Sequence, residues 1–300
     1  MTLDQCSDHF IHYLRTERQL SQHTLESYAR NIEKLASSLN ESKKLDEIDA
    51  SDVRAILSKL HRQGLGSRSL QQWLSTLRTF FQYAVQKSWI KADPTSGISA
   101  PKANRPLPKT LDVDQMTQLL EIKSDSWIDH RDRAMLELLY SSGLRLSELC
   151  SLNPESLDLQ SSSIRVIGKG KKTRDLPVGS KAIDAIKSWL KVRSEELAEN
   201  ETALFLNQRG KRISPRSVQL RLKTLATKQG LLNQVNPHML RHSFASHMLE
   251  SSGDLRSVQE LLGHSNISTT QIYTHLDFQH LAKVYDQAHP RASRKPKDEV

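Results

Sequence analysis

Four prolines, Pro94, Pro101, Pro106 and Pro108, fall between residues 90 and 111. Proline removes the amide donor a helix needs and pushes the residue before it out of the helical region. This stretch therefore favours an extended connector, and the chain on either side of it must fold as separate units. At 300 residues there is length for two such units, each with its own core. The boundaries predicted are a helical domain over 1–88, a linker over 89–109, a second domain over 110–290 and a tail over 291–300. The tail, with Arg294, Lys295, Pro296 and Lys297, is expected to be disordered.

Residues 3–86 read as four helices. Leu3, Cys6, Phe10, Tyr13 and Leu14 form the first apolar stripe; Leu25, Tyr28, Ile32 and Leu35 form the second, behind a cap at Ser21 or Thr24. Val53, Ile56, Leu57 and Leu60 mark the third, ending before Gly64. The fourth, capped by Ser67 or Ser69, turns Leu70, Trp73, Leu74, Leu77, Phe80, Phe81 and Ala84 to the core. Basic residues stud the bundle, among them Arg54, Lys59, Arg62, Arg68 and Arg78, and those beside the Gly64 turn suit phosphate contact. The formal net charge of +9 favours a polyanionic partner. No apolar run approaches the roughly 18 residues of a membrane span, and the start of the chain lacks the basic and apolar regions of a signal peptide, so a cytoplasmic location is expected. Cys6 and Cys150, the only cysteines, are too few for a disulfide framework or a thiolate metal site and read as buried apolar residues.

The second domain begins with helices through Val113, Met116, Leu119 and Leu120 and through Ala134, Met135, Leu138 and Leu139. Gly143 breaks the latter, which places Arg145 in the first turn of the next helix with Glu148 at i+3 to orient its guanidinium. Residues 163–178 read as a hairpin: Ile164, Val166 and Ile167 on one strand, Gly168 to Lys172 in the turn, and Arg174 to Val178 on the return. A lysine on such a turn can protonate a leaving oxygen, and Lys169, Lys171 and Lys172 all qualify. Helices over 180–197 and 214–228 follow, with a short strand at 204–206 between them; Arg209, Lys211, Arg212, Arg216, Arg221 and Lys223 give a further basic face.

The densest chemistry lies between residues 238 and 273. His238 and Arg241 share a helix face, while Leu240, Phe244, Ala245, Met248 and Leu249 supply the apolar stripe. A helix over 254–262 stops at Gly263, His264 follows it, and a polar turn leads to Tyr273. Arginine offers a permanent charge in a fork that matches phosphate oxygens, and imidazole exchanges a proton near neutral pH. With a phenol nucleophile these are the parts needed to hold and attack a phosphodiester.

This order, His238-x-x-Arg241, then Leu262-Gly263-His264, then Tyr273, resembles the carboxy-terminal signature of tyrosine site-specific recombinases, the phage integrase family. The wording from Thr269 to Leu281, and on to Ala292, is similar to the Xer branch. The resemblance implies a mainly α fold with a small β-sheet: an N-terminal SAM-like core-binding domain that clamps one face of duplex DNA, and an α+β catalytic domain. It implies Arg145, Lys169, His238, Arg241, His264 and Tyr273 as the catalytic set, selects Lys169 over Lys171, and supports Glu148 beside Arg145. Arg62, Arg68, Arg78, Lys171, Lys172, Arg212 and Arg216 are the candidates for DNA contact. It further implies cleavage through a 3′-phosphotyrosine without metal or nucleotide cofactor. The partners implied are double-stranded DNA with a specific recombination site, an XerD-like paralogue in a two-plus-two heterotetramer, and a septal, FtsK-like DNA translocase as regulator. The task implied is resolution of chromosome dimers at cell division. A helix through Leu276, Phe278, Leu281, Val284 and Tyr285 would dock on a neighbouring protomer.

Three other readings compete. His238 and His242 have the i, i+4 spacing of zinc helices, but the triplet between them is Met239-Leu240-Arg241, with no Glu as base and a fixed cation that repels a metal. A silent DNA-binding scaffold would not need the full set of activating groups. A phage or plasmid integrase or a type IB topoisomerase would use the same active site with a different outcome.

Overall fold

The computed structural model describes residues 2–39, 43–102, 110–123, 126–168, 173–231 and 235–252, the last two as backbone. The chain divides into two compact units, Met1–Pro106 and Leu107–Val300.

The first unit contains helices α1 (Leu3–Thr16), α2 (Gln22–Ala36), α3 (Ala50–Arg62) and α4 (Ser67–Gln86). Side chains start three of them. Thr2 accepts from the Gln5 amide at 3.3 Å, Ser21 caps α2, and Asp49 accepts from the amides of Ser51 and Asp52. Gly66 precedes α4 where Ser67 or Ser69 was expected as the cap. Helix α3 ends through Gly64 at φ 88°, where the Leu65 amide reaches back to the Leu60 carbonyl at 3.1 Å; that left-handed step is easy only for glycine.

Phe10, Trp73, Phe80 and Phe81 are fully buried at the centre of the unit. Among them sits one polar pair, in which Asn31 donates to the Thr76 hydroxyl at 2.9 Å while its carbonyl accepts from the Trp73 indole at 3.0 Å. These bonds satisfy groups that burial would otherwise penalise. The early part of the proline-rich stretch belongs to this core: Ile90 and Ile98 are buried, Gln71 donates to the Pro101 carbonyl and Arg78 to the Ile98 carbonyl. Residues 103–109 lie outside the described residues.

In the second unit, α5 (Val113–Leu120) precedes α6 (Trp127–Ser142), and every residue of α6 from Ala134 to Ser142 is buried. Helix α6 is the spine, packed on α8 (Ser180–Arg193) and α10 (Pro237–Ser252). Its first turns carry a buried ionic cluster that the apolar stripe through Ala134, Met135, Leu138 and Leu139 did not announce. Arg131 donates from Nε and Nη2 to Asp132 at 3.0 and 2.7 Å, and Arg221 meets the other Asp132 oxygen at 2.6 Å. The short α7 (Leu146–Ser151) follows. Next comes an antiparallel sheet in the order β1 (Leu157–Asp158), β2 (Ser163–Ile167) and β3 (Thr173–Pro177). The hairpin read from sequence is present, with Val166 opposite Arg174 and Ile164 opposite Leu176; β1 is an addition.

Helix α8 stops at Arg193, short of the expected 197, and continues as a 3-10 turn over Ser194–Glu196. The expected strand at 204–206 is reduced to one bridge between Leu206 and Arg212. Ser214 caps α9 (Pro215–Lys228). Among the described residues no helix is long and apolar enough to cross a membrane.

Candidate active site

Helix α6 ends at Gly143, whose left-handed backbone (φ 55°, ψ 31°) turns the chain sharply. Arg145 then stands at the N-cap of α7, one position earlier than the first-turn placement read from sequence. Glu148 at the third helical position reaches back, accepting from the Arg145 amide at 2.8 Å and from its Nη1 at 3.0 Å. Glu148 is 3% exposed, and Arg145 is 38% exposed. The cation faces outward while its anchor stays buried.

The other end of α7 is also held. Arg212 donates to the carbonyls of Cys150 and Leu152, each at 3.0 Å, and to the Asn153 side chain at 2.7 Å. Those carbonyls close a helix that has no further turn to satisfy them. Arg212 was expected to contact DNA, and the structure gives its guanidinium this internal role. Arg221 is likewise tied to Asp132, whereas Arg209, Lys211, Arg216 and Lys223 are exposed.

Helix α10 brings the second arginine. Its apolar stripe is seated as the spacing predicts, with Leu240, Phe244 and Met248 buried. Arg241 donates to the carbonyl of Gly143, two residues from Arg145 although 98 positions away in sequence. His238, one turn earlier, is exposed. Three further contacts fix this helix. Ser243 accepts from the Leu111 amide at 2.8 Å, the Tyr140 hydroxyl pairs with His247 Nδ1 at 2.8 Å, and His247 also bonds the Leu111 backbone. Ser142, one residue before Gly143, donates to the Pro177 carbonyl at 3.0 Å and ties the turn to β3.

A third guanidinium joins this group. Arg174 of β3 donates from Nη1 and Nη2 to the two Glu148 oxygens at 2.9 and 3.0 Å. Burial alone would raise the Glu148 carboxyl. The bonds from Arg174 and from the Arg145 amide outweigh it and hold Glu148 below the usual carboxylate range. Burial, then the charge of Arg145, brings Arg241 down to about 10. It remains charged at neutral pH. Three arginines thus gather near the Glu148 carboxylate, a concentration of positive charge that suits an anion such as a phosphate.

Of the site residues expected from sequence, Arg145, Glu148, His238 and Arg241 are described and stand on two elements that meet at Gly143. Lys169, Lys171, Lys172, His264 and Tyr273, with the helices expected over 254–262 and 276–285, lie outside the described residues. Arg62, Arg68 and Arg216 are exposed, as phosphate contact requires; Arg78 is partly spent on the Ile98 carbonyl. Cys6 and Cys150 are buried, as the sequence reading expected, and burial raises both thiols. The sequence reading missed Arg174. Val166 faces the core and Arg174 is its cross-strand partner, two residues before buried Leu176, so strand alternation alone marked an inward-facing arginine in need of a carboxylate.

Comparison with known proteins bears on this arrangement. Residues 109–280 match the model of the phage integrase family, and residues 8–88 match the N-terminal SAM-like domain of phage integrases. Tyrosine recombinase XerC of Pseudomonas syringae pv. tomato is 51% identical, with 98% of each chain covered. The protein of that name from Histophilus somni is 55% identical, with 95% of this chain and 97% of its own covered. These names agree with the resemblance of residues 269–292 to the Xer branch. Among solved structures, the XerH site-specific recombinase bound to a palindromic difH substrate superimposes with a TM-score of 0.69 at 25% identity, covering 93% of this chain and 84% of that one. The Tn1549 transposon integrase in complex with transposon right end DNA shares the fold, with a TM-score of 0.73 at 21% identity over 94% of this chain and 99% of that one.

Proposed function

The chain belongs to the phage integrase family and is a site-specific tyrosine recombinase of the Xer type, a DNA strand-transferring enzyme, and on that premise we propose the roles its residues play. Tyr273 attacks a scissile phosphate in duplex DNA. The tyrosine oxygen bonds phosphorus, the bond to the 5′-oxygen breaks, and a 3′-phosphotyrosine and a free 5′-hydroxyl result. Arg145 and Arg241 bind the non-bridging oxygens and neutralise the charge that builds on them. His238 accepts or relays the tyrosine proton, His264 hydrogen-bonds the phosphate, and Lys169 protonates the departing 5′-oxygen. Attack by the 5′-hydroxyl of another strand runs these steps in reverse. The phosphotyrosine conserves the diester bond, so the cycle asks for no metal and no nucleotide.

The observation that carries this reading is the convergence of Arg145 and Arg241 on the Gly143 turn, from helices far apart in sequence. A structural ion pair would have matched one arginine to one carboxylate. Here Arg145 and Arg174 both bond Glu148, and the charge of Glu148 also acts on Arg241.

The finer assignment concerns partners. Identity near one half over almost the whole length to proteins named XerC supports a role alongside an XerD-like paralogue, two copies of each on one DNA site, resolving chromosome dimers under a septal, FtsK-like translocase. The test joins this protein and the paralogue on a plasmid carrying two candidate sites in direct repeat. Resolution to two circles only when both proteins are present supports the assignment; resolution by this chain alone overturns it in favour of a self-sufficient integrase.

The N-terminal unit supplies phosphate contacts. Arg62 ends α3 and Arg68 begins α4, and both are exposed on either side of the Gly64 turn. Replacing either with Ala is expected to lower the slope of log affinity against log salt by about 0.9, one released counterion for each phosphate lost. Filter binding or fluorescence anisotropy across a salt series measures it; an unchanged slope assigns the residue to solvent.

A further inference from the structure

We infer that Arg174 is a positioning residue for Arg145, acting through Glu148, in the cleavage step; this rests on the reading of Arg145 as a phosphate ligand.

The geometry carries the inference. Arg174 meets Glu148 with a two-point fork, Nη1 to Oε1 at 2.9 Å and Nη2 to Oε2 at 3.0 Å. A fork of that kind fixes the plane of the carboxylate as well as its charge. The same two oxygens then receive Arg145, Oε2 from its backbone amide at 2.8 Å and Oε1 from Nη1 at 3.0 Å. One immobilised carboxylate therefore sets both where Arg145 begins α7 and where its guanidinium lies.

Without Arg174 the balance changes. Glu148 is buried, and burial favours its neutral form. Bonds from Arg174 lead the opposing effects. A carboxyl freed from the fork can rotate or take up a proton, and either event loosens Arg145. Arg174 is also 20% exposed, beside Arg145 at 38%, so it forms the inner wall of the site and Arg145 its rim. Beyond Glu148, β3 reaches the Gly143 turn through Ser142, which donates to the Pro177 carbonyl. The strand that carries Arg174 is therefore bound to both segments that hold Arg145.

A double-mutant cycle tests this. Single-turnover cleavage of a nicked duplex carrying the recombination site is measured for the wild type, Arg174→Ala, Arg145→Lys and the double variant, with DNA affinity and thermal melting recorded beside it. Arg174→Ala is expected to slow cleavage about tenfold with DNA affinity unchanged. Arg174→Lys, which keeps the charge and loses the fork, is expected to stay nearly as slow, and it replaces Arg174→Ala in the cycle if the latter fails to fold. In the Arg145→Lys background either change is expected to add less than about twofold, because the residue being positioned is already gone. Fully multiplicative losses would overturn the inference, since a purely architectural role or a direct phosphate contact by Arg174 acts whether or not Arg145 is present. Full activity in Arg174→Lys would overturn it too. If the wild type itself forms no covalent adduct, the assignment of Arg145 fails first, and that result is separate from the cycle.

Discussion

Tyr273→Phe is expected to abolish strand exchange, with the cleavage rate falling by at least ~10⁴-fold while specific DNA binding persists. The change removes one oxygen and keeps the ring, so packing and DNA contacts are retained. Only the atom that bonds phosphorus is lost. Arg145 and Arg241 still attract the phosphate, so a slow attack by water would give a nick with no protein attached. Denaturing electrophoresis of end-labelled duplex separates these outcomes. An adduct formed at the wild-type rate by the variant would remove Tyr273 from the chemistry.

Arg145→Ala carries the second large effect. It is expected to lower single-turnover cleavage by about 10²–10³, on the order of 3–4 kcal/mol of transition-state stabilisation. Arg145 supplies the partly exposed cation at the head of α7, and no neighbour replaces it, because Arg174 is bound to Glu148 through both terminal nitrogens. The loss does not arise through Arg241. Arg145 is one of the groups that depress Arg241, so removing it lets Arg241 rise from about 10 and hold its proton more firmly. Arg145→Lys is expected to recover little, since a single ammonium cannot meet two phosphate oxygens in the plane that a guanidinium does. Rates within about threefold of wild type for Arg145→Ala would place the residue among structural cations.

Much of this was legible in the sequence because it is written locally. The stripes of α1 to α4, the break at Gly143 and the alternation of the 163–178 hairpin each depend on residues within one or two turns, and the structure follows them. The pairing of Arg145 with Glu148 was legible for the same reason, since i and i+3 meet at a helix start. The local misses are shifts of a few residues at element ends; the ones that matter most for the site are long-range. Arg212 read as one more residue on a basic face, yet it closes α7 across 62 positions. Arg78 is exposed and also bonds the Ile98 carbonyl at the edge of the linker, a contact that no stripe announced. Arg131 and Asp132 lay just before an apolar run that drew attention to itself, and their partners Leu206 and Arg221 come from elsewhere in the chain. Periodicity reports which face is buried; it does not report which carbonyl or carboxylate waits there.

The central claim is that Tyr273 becomes covalently joined to a 3′-phosphate in a site whose positive charge is built by Arg145 and Arg241. Its most direct test is the identity of the trapped residue. The protein, with and without its XerD-like paralogue, is mixed in a strong chelator with a nicked duplex whose cleavage releases a short fragment. The adduct is digested and its modified peptide sequenced by mass spectrometry. The account predicts a nucleotide 3′-phosphate on Tyr273, formed without divalent metal. A nucleotide on any other residue would contradict it, as would the absence of an adduct in both partner states when specific DNA binding is intact, and the chain would then be a DNA-binding scaffold built on a recombinase fold.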